Sequence, residues 1–289
     1  MMTCYDLHCH STASDGSLTP TALVERARQM GVDVLALTDH DATHGLAEAG
    51  VAARGQGLDL IAGLEVSVTW AGQTVHIVGL FIDPANAELQ TGLERLQAFR
   101  RWRAREIALR LEKKRIPGAY EGAQAFCGGQ IMSRTHFAQF LVQAGYAPDI
   151  RSVFKKYLVR GRPGYVPGNW AGLEEALNWI HQAGGVAVIA HPARYPMSAT
   201  KLRELFKEFK EFGGLAIEVV SGSHSRDNIL HMSDMARRFD LHASSGSDFH
   251  APSNAYTELG RLTAVPEANT PIWQSDAWQA RASRAGIRP

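Results

Sequence analysis

The run Tyr5-Asp6-Leu7-His8-Cys9-His10-Ser11 reads as a short strand, residues 3–9, whose C-terminal end carries two histidines one residue apart. Side chains at that spacing leave one face of a strand and can close on a single metal ion. The residues that follow set this strand in a β-α-β unit. Ser17 to Gly31 has helical spacing of Leu23, Val24, Ala27 and Met30, with Thr19 as N-cap, Pro20 in the first turn and Gly31 as the stop. Val32 to Thr38 is a continuous apolar run of strand length, as expected where both faces of a sheet are covered.

The alternation continues along the chain. A helix is expected near Thr43–Gln56, with strands near Leu58–Val66 and Gln73–Phe81 joined at Ala71-Gly72 as a hairpin. After residue 166 come helices near 173–183, 200–212 and 227–239, alternating with strands near 185–190, 215–220 and 241–245. Repeated strand and helix pairs predict an α/β fold, a parallel barrel or open sheet, with its chemistry at the C-terminal strand ends.

Between these halves the pattern is helical. The stretch from Asn86 to Arg115 places Leu89, Leu93, Leu96, Phe99, Ile107 and Leu111 on an apolar side and carries eight basic residues from Arg100 onward. It reads either as a solvated face or as a surface for a polyanionic substrate. Residues 98–165 are taken as a helical insertion covering the active site, between barrel segments 1–97 and 166–289.

Composition narrows the function classes. Lys plus Arg number 30 against 29 for Asp plus Glu, so no global field marks a duplex-coating or membrane-surface protein. Cys4, Cys9 and Cys127 form no CxxC pair and suggest a reducing compartment. No apolar run approaches the ~20 residues of a membrane span. The expectation is a cytoplasmic protein with no membrane association and no obligate protein partner.

Histidines and carboxylates gather at the strand ends: His8 and His10, His40 within Thr38-Asp39-His40-Asp41, Glu65, His76, His191 before Pro192, and Asp248 with His250; Asp15 sits on the first loop. In a barrel these positions share one mouth. Six imidazoles and three carboxylates exceed the three or four protein ligands of one catalytic zinc, which implies two or three ions with Glu65 as the natural bridge. His44, His181, His231 and His242 suit surface or packing roles. His136, after Ser133-Arg134-Thr135, and His224, just past a strand end, could face the mouth from loops. Arg134 and Arg194 are the arginines best placed to grip phosphate through a bidentate fork, with a structural salt bridge as the alternative for each. No phosphate-cradling GxxxxGK[ST] loop, GxSxG elbow or GxGxxG fingerprint competes.

Together, Asp6-Leu7-His8-Cys9-His10-Ser11, Ser14-Asp15-Gly16, Thr38-Asp39-His40-Asp41, Gly63-Leu64-Glu65, His76, Ala190-His191-Pro192 and Gly246-Ser247-Asp248-Phe249-His250 resemble the PHP (polymerase and histidinol phosphatase) family of the amidohydrolase superfamily. The resemblance implies a distorted (β/α)7 barrel and a polynuclear metal site that hydrolyses phosphoesters. It implies one ion held by His8, His10, Glu65 and Asp248, a second by Glu65, His76 and His191, and a third by Asp15, His40 and His250. Manganese suits this donor set first, with zinc or iron as alternatives. Chain length, the insertion and Ser133-Arg134-Thr135-His136 resemble the branch of nucleoside 3′,5′-bisphosphate phosphatases, also described as ribonuclease AM. That branch implies removal of the 3′-phosphate of adenosine 3′,5′-bisphosphate, giving AMP, and trimming of short single-stranded RNA from its 5′ end. Arg134, His136, Arg194 and His224 are then the candidates for substrate binding, and His191 and Asp248 for catalytic proton relay. Histidinol-phosphate hydrolysis and a non-catalytic metal-binding regulatory module are the competing expectations.

Overall fold

The computed structural model describes residues 3–128, 131–252 and 257–287. Its seven strands form one sheet in sequence order: β1 (Tyr5–Cys9), β2 (Val34–Leu37), β3 (Asp59–Trp70), β4 (Gln73–Leu80), β5 (Val186–Ile189), β6 (Ala216–Ser221) and β7 (His242–Gly246). All neighbours are parallel except β4, which runs antiparallel to both β3 and β5. The ring closes at its C-terminal rim, where the Asp248 amide donates to the His8 carbonyl and the His10 amide to the Phe249 carbonyl, each at 2.9 Å. The architecture is the distorted (β/α)7 barrel expected.

Local sequence explains how the elements start and stop. Helix α1 (Pro20–Gln29) begins where Thr19 Oγ1 accepts the Ala22 amide at 3.2 Å, and it ends before Gly31, at φ +85°. The β3–β4 hairpin turns on Ala71 and Gly72, both in the left-handed region at φ 46° and 74°, the geometry whose twist matches a two-residue connection. Helix α2 (Leu46–Gln56) starts later than expected, because Thr43 and His44 lie in the turn before it.

Two apolar layers flank the strands. Inside, Leu7, Val34, Ile61, Val78 and Val188 fill the barrel, and Trp278 of α10 (Asp276–Ala285) seals its lower end, with Tyr5 stacked on Trp273 at 4.3 Å between centroids. Outside, alternate strand residues such as Leu35, Leu64 and Ile217 pack against the helices, among them α7 (Leu173–Gln182), α8 (Ala199–Glu211) and α9 (Arg226–Arg238). Strand β1 breaks strict alternation: Asp6 pairs with Leu35 and Cys9 with Leu37, so Leu7 and His8 oppose the single residue Ala36. This bulge turns both Leu7 and His8 inward and sends Cys9 out into the wall between strands and helices.

Helix α3 (Ala87–Glu112) is 26 residues, about 39 Å at ~1.5 Å per residue. Residue 98 falls within this unbroken helix. Its first half, through Leu89, Leu93 and Leu96, belongs to the barrel's outer core. Its second half, through Ala104, Ile107 and Leu111, joins α4 (Ala119–Phe126), α5 (Arg134–Gln143) and α6 (Ile150–Val153) in a separate core with Phe137, Leu141 and Leu158. The basic stretch of α3 is therefore divided: Arg100 and Arg103 are buried while Arg101 and Arg105 are exposed.

Candidate metal centre

At the rim the barrel interior changes from apolar to ionisable. Glu65, fully buried in the middle of β3, is the hub. Its Oε2 lies 2.7 Å from His40 Nδ1, 3.4 Å from His10 Nε2 and 3.5 Å from His8 Nε2. Its Oε1 lies 2.9 Å from His76 Nδ1 and 3.2 Å from His191 Nε2. Asp248 Oδ1 stands 3.4 Å from His10 Nε2 and 3.6 Å from both His8 Nε2 and His250 Nδ1. Asp15 Oδ1 faces His250 Nε2 at 3.3 Å and His40 Nε2 at 3.8 Å. All nine residues singled out at the strand ends thus converge.

The donor atoms fit divalent ions. His40 Nδ1, His76 Nδ1, Glu65 Oε2 and Asp15 Oδ1 are buried without a hydrogen-bond partner, although His40 and His76 lie within 3 Å of Glu65 oxygens. A buried polar atom left without a hydrogen-bond partner costs about 1–3 kcal/mol, which a bound cation would offset. Among the described residues, three groups have donor atoms mutually within 4.8 Å: His8, His10 and Glu65; His40, Glu65 and His76; and His10, Asp15, His40 and His250. Imidazole with carboxylate is a donor set for first-row divalent metals.

Electrostatics within the cluster run both ways. Burial would raise the Glu65 carboxyl, but the His40, His76 and His8 imidazoles hold it well below the usual carboxylate range. Burial, followed by the His250 and His40 charges, pushes His10 down to about 3. Burial likewise works against charge on His250, yet Asp15 and then Asp248 raise it to about 10.

A surrounding layer orients these groups. Asp39 accepts the Ser11 amide at 2.8 Å and the Ser11 and Ser14 hydroxyls at 2.7 and 2.6 Å, tying down the loop that carries Asp15. Gly16 is required beside it, since a Cβ there would meet the His10 carbonyl oxygen at 2.2 Å. Thr135 Oγ1 donates to Asp15 Oδ2 at 3.1 Å, linking α5 to the cluster. Asp248 and His191 sit at left-handed φ of 55° and 29°, strain of the kind stored where side chains must be aimed.

Above the cluster lies a cavity of about 180 Å³. Asp15, His40, His76, His191, Asp248 and His250 form one part of its lining, and Arg100, Arg103, Arg134 and Arg194 add four guanidinium groups. Arg100 is occupied: it donates to Asp41 Oδ2 at 2.6 Å and to Ser67 Oγ at 2.8 Å. Arg103 donates through Nε and one Nη to the Val166 carbonyl and lies over the Trp170 ring. Burial, then the neighbouring Arg134 and Arg100 charges, pushes Arg103 down to about 9. Arg134 stacks over Phe154 at 5.5 Å and forms no carboxylate ion pair among the described residues.

The PHP domain profile matches residues 6–221, and the chain belongs to this family. It is 49% identical over 270 residues to the 3′,5′-nucleoside bisphosphate phosphatase of Chromobacterium violaceum, covering 93% of this chain and 95% of that one. It is 47% identical over 272 residues to the 5′-3′ exoribonuclease Rnm of Escherichia coli K12, covering 93% and 92% of the two chains. Its fold superposes with a TM-score of 0.92 on an amidohydrolase from Chromobacterium violaceum with bound sulfate and no metal, at 48% identity over 96% of this chain and 97% of that one.

Two of the candidate substrate-binding residues are engaged elsewhere. His136 does not line the cavity: its Nδ1 accepts the Ser133 amide at 3.1 Å as the third residue of a capping box, and the ring is buried in that task. His224 is also absent from the lining, with Nδ1 held against the Val219 carbonyl at 3.1 Å. Arg134 and Arg194 do line it, Arg194 while paired to Asp248 at 2.6 Å. The sequence reading gave no role of their own to Glu218 and Asp39, and took Arg100 and Arg103 only as part of a basic stretch. Glu218 was detectable as the single acid in the apolar run Leu215 to Val220. Arg100 and Arg103 were detectable because they continue the buried spacing of Leu93 and Leu96 toward Ile107.

Proposed function

We propose that the protein removes the 3′-phosphate from nucleoside 3′,5′-bisphosphates, giving AMP from the adenosine compound, and that the same site trims short single-stranded RNA from its 5′ end. The observation that carries this reading is the pairing, in one cavity, of six His and carboxylate residues of the cluster with two guanidinium groups, Arg103 and Arg134, that form no carboxylate ion pair among the described residues. A substrate with one reacting and one non-reacting phosphate uses both. The names of the bacterial relatives support the same substrate classes.

His8, His10, Glu65 and Asp248 would hold one ion, Glu65, His76 and His191 a second, and Asp15, His40 and His250 a third, with manganese the metal best suited. Bound there, divalent ions supply positive charge to the phosphoryl oxygens and make water a stronger acid. Arg194, which reaches Asp248 from the cavity wall, steadies the phosphoryl group with its remaining N–H groups. Arg134 and Arg103 anchor the 5′-phosphate. Asp248 and His191, at the cavity face of the cluster, relay protons between the attacking water and the leaving oxygen. Residues 98–165 act as a roof, contributing Arg103, Arg134 and Phe154, between barrel segments 1–97 and 166–289; the whole acts in the cytoplasm. No described helix is long and apolar enough to cross a membrane.

A second groove, of about 360 Å³, shares Arg134 and Thr74 with the lining of the cavity. Arg160 and Tyr165 border it and no carboxylate does, which supports a substrate longer than one nucleotide. Histidinol phosphate is a poorer fit, because among the described residues the only carboxylates facing the cavity, Asp15 and Asp248, already belong to the cluster. An idle metal-binding module would not need the arginine wall.

Phosphate release by the manganese-loaded protein should be fastest with 3′,5′-bisphosphates, weaker with 3′-mononucleotides and negligible with histidinol phosphate. 5′-Phosphorylated oligonucleotides should be shortened to mononucleotides. Equal rates on the bisphosphate and on histidinol phosphate would sink the assignment, as would full activity in a His10→Ala, Asp248→Ala double variant. An Arg134→Ala variant should lose its preference for the 5′-phosphorylated compound over the 3′-mononucleotide.

A further inference from the structure

Glu218 is buried on β6 and belongs to none of the three donor groups. Its strand carries a bulge, since Glu218 pairs with Ser244 and Val220 with Ser245, which leaves Val219 unmatched next to it. The carboxylate turns into the barrel. There Oε1 lies 2.6 Å from His8 Nδ1, and Oε2 accepts the His191 amide at 2.6 Å. Gly246 on β7 leaves the room for this contact: a Cβ there would stand 2.3 Å from His8 Cβ and 3.1 Å from Glu218 Oε1.

We propose that Glu218 is a positioning residue that selects the metal-binding tautomer of His8 and holds the His191 backbone in its strained turn. An ionised carboxylate only accepts hydrogen bonds, and a backbone amide only donates. With Oε2 taken by the His191 amide, His8 must present a proton on Nδ1. In the neutral ring the Nε2 lone pair then faces His10 Nε2, at 3.0 Å, and the Glu65 and Asp248 oxygens. The second bond acts on a different ligand. His191 sits at φ 29°, ψ 53°, and in that backbone conformation its ring Nε2 lies 3.2 Å from Glu65 Oε1. One carboxylate on β6 thereby sets ligands on β1 and just after β5, in the way outer partners fix the ring orientation of metal-bound histidines.

The proposal rests on the metal-site reading above, and the test separates the two. Histidine ring nitrogens are followed by ¹⁵N NMR in the zinc-loaded wild type and in Glu218→Gln, with ion content and affinity measured alongside. The wild type is expected to carry its His8 proton on Nδ1. Glutamine offers one acceptor and one donor, so it cannot serve both N–H groups. The variant is expected to shift the His8 proton to Nε2 or to lose the His191 contact, with affinity for one ion falling about 10- to 100-fold. A wild-type His8 protonated on Nε2 overturns the proposal without any variant, so it stays testable if Glu218→Gln fails to fold. Unchanged tautomer and unchanged ion affinity in a folded variant overturn it as well, leaving the metal reading intact. A wild type that binds no ion at these residues overturns both.

Discussion

Arg194 donates from Nη1 to Asp248 Oδ2 across 2.6 Å, joining the arginine wall of the cavity to the ligand cluster. The arginine side chain is about half exposed, so the pair adds little to stability and its value is positional. Arg194→Ala should leave the thermal midpoint nearly unchanged and lower kcat/KM on a 3′,5′-bisphosphate by about 100-fold. Arg194→Lys should restore only part, because a point charge cannot serve Asp248 and the substrate as a planar fork does. Steady-state kinetics on the two variants decide the point, and an unchanged kcat/KM in Arg194→Ala refutes it.

Arg100 has the opposite balance. It lines the cavity, yet its guanidinium is consumed by Asp41 and Ser67, and both ends of the ion pair are buried. Removing one partner strands the other charge, so Arg100→Met should cost about 3–5 kcal/mol in urea denaturation. Adding Asp41→Asn should recover part of that loss. An Arg100→Met protein as stable as the wild type would show that water reaches Asp41.

The cluster also makes stability and metal affinity depend on pH in opposite senses. Burial disfavours charge on His8, His40 and His250. Glu218 with Glu65, Glu65 with Asp15, and Asp15 with Asp248 nevertheless raise the three imidazoles respectively, His250 to about 10 from 6.5. In the metal-free protein their stabilising contribution is complete below pH 6.5 and is lost as pH rises above it, for His250 as pH climbs toward 10. Metal binding instead needs the imidazoles neutral, so affinity rises with pH and loading releases protons. Scanning calorimetry of the metal-free protein should show a falling midpoint across that window. Titration with metal in buffers of different ionisation heat should show net proton release near neutrality; a net uptake contradicts this account.

For the groove beyond the cavity, Arg160 is the discriminating residue, because it borders only that space. Arg160→Ala should lower kcat/KM on short oligonucleotides several-fold and leave the mononucleoside bisphosphate unaffected. The salt dependence of oligonucleotide binding should flatten by about 0.7, the share of one contacted phosphate on a single strand. Equal losses on both substrates would place Arg160 in the cavity's own function instead.

The barrel and its metal-type residues were legible because both rest on period and position: apolar runs of strand length, helical spacing between them, and ligands at the strand ends. What escaped was set by geometry that local spacing does not carry. Leu7 and His8 both face inward only because β1 is bulged against β2. His136 looked free to bind substrate, but a histidine three residues after Ser133 can close a capping box, and it does. Arg100 and Arg103 were hidden by their company, since six further basic residues on the same stretch suggested a solvated face. Their i, i+3 placement on the leucine stripe was the usable sign. Glu218 supports residues on two other strands, a relation that exists only once the sheet is closed.

The antiparallel β4 has an outcome for how such a site can diversify. Strand β3 runs on for five residues past Glu65 to Trp70, and β4 brings His76 back from the same projecting arm. Ser67 and Thr74 on that arm wall the cavity, while Gly72 and Gln73 at its tip border the groove. The tip is an exposed two-residue turn with open space around Gly72, the kind of place where insertions are generally tolerated. Lengthening or shortening it by whole residue pairs keeps Glu65 and His76 in register while raising or lowering one side of the doorway. Substrate length is thus adjustable at a place that leaves every metal-type residue untouched.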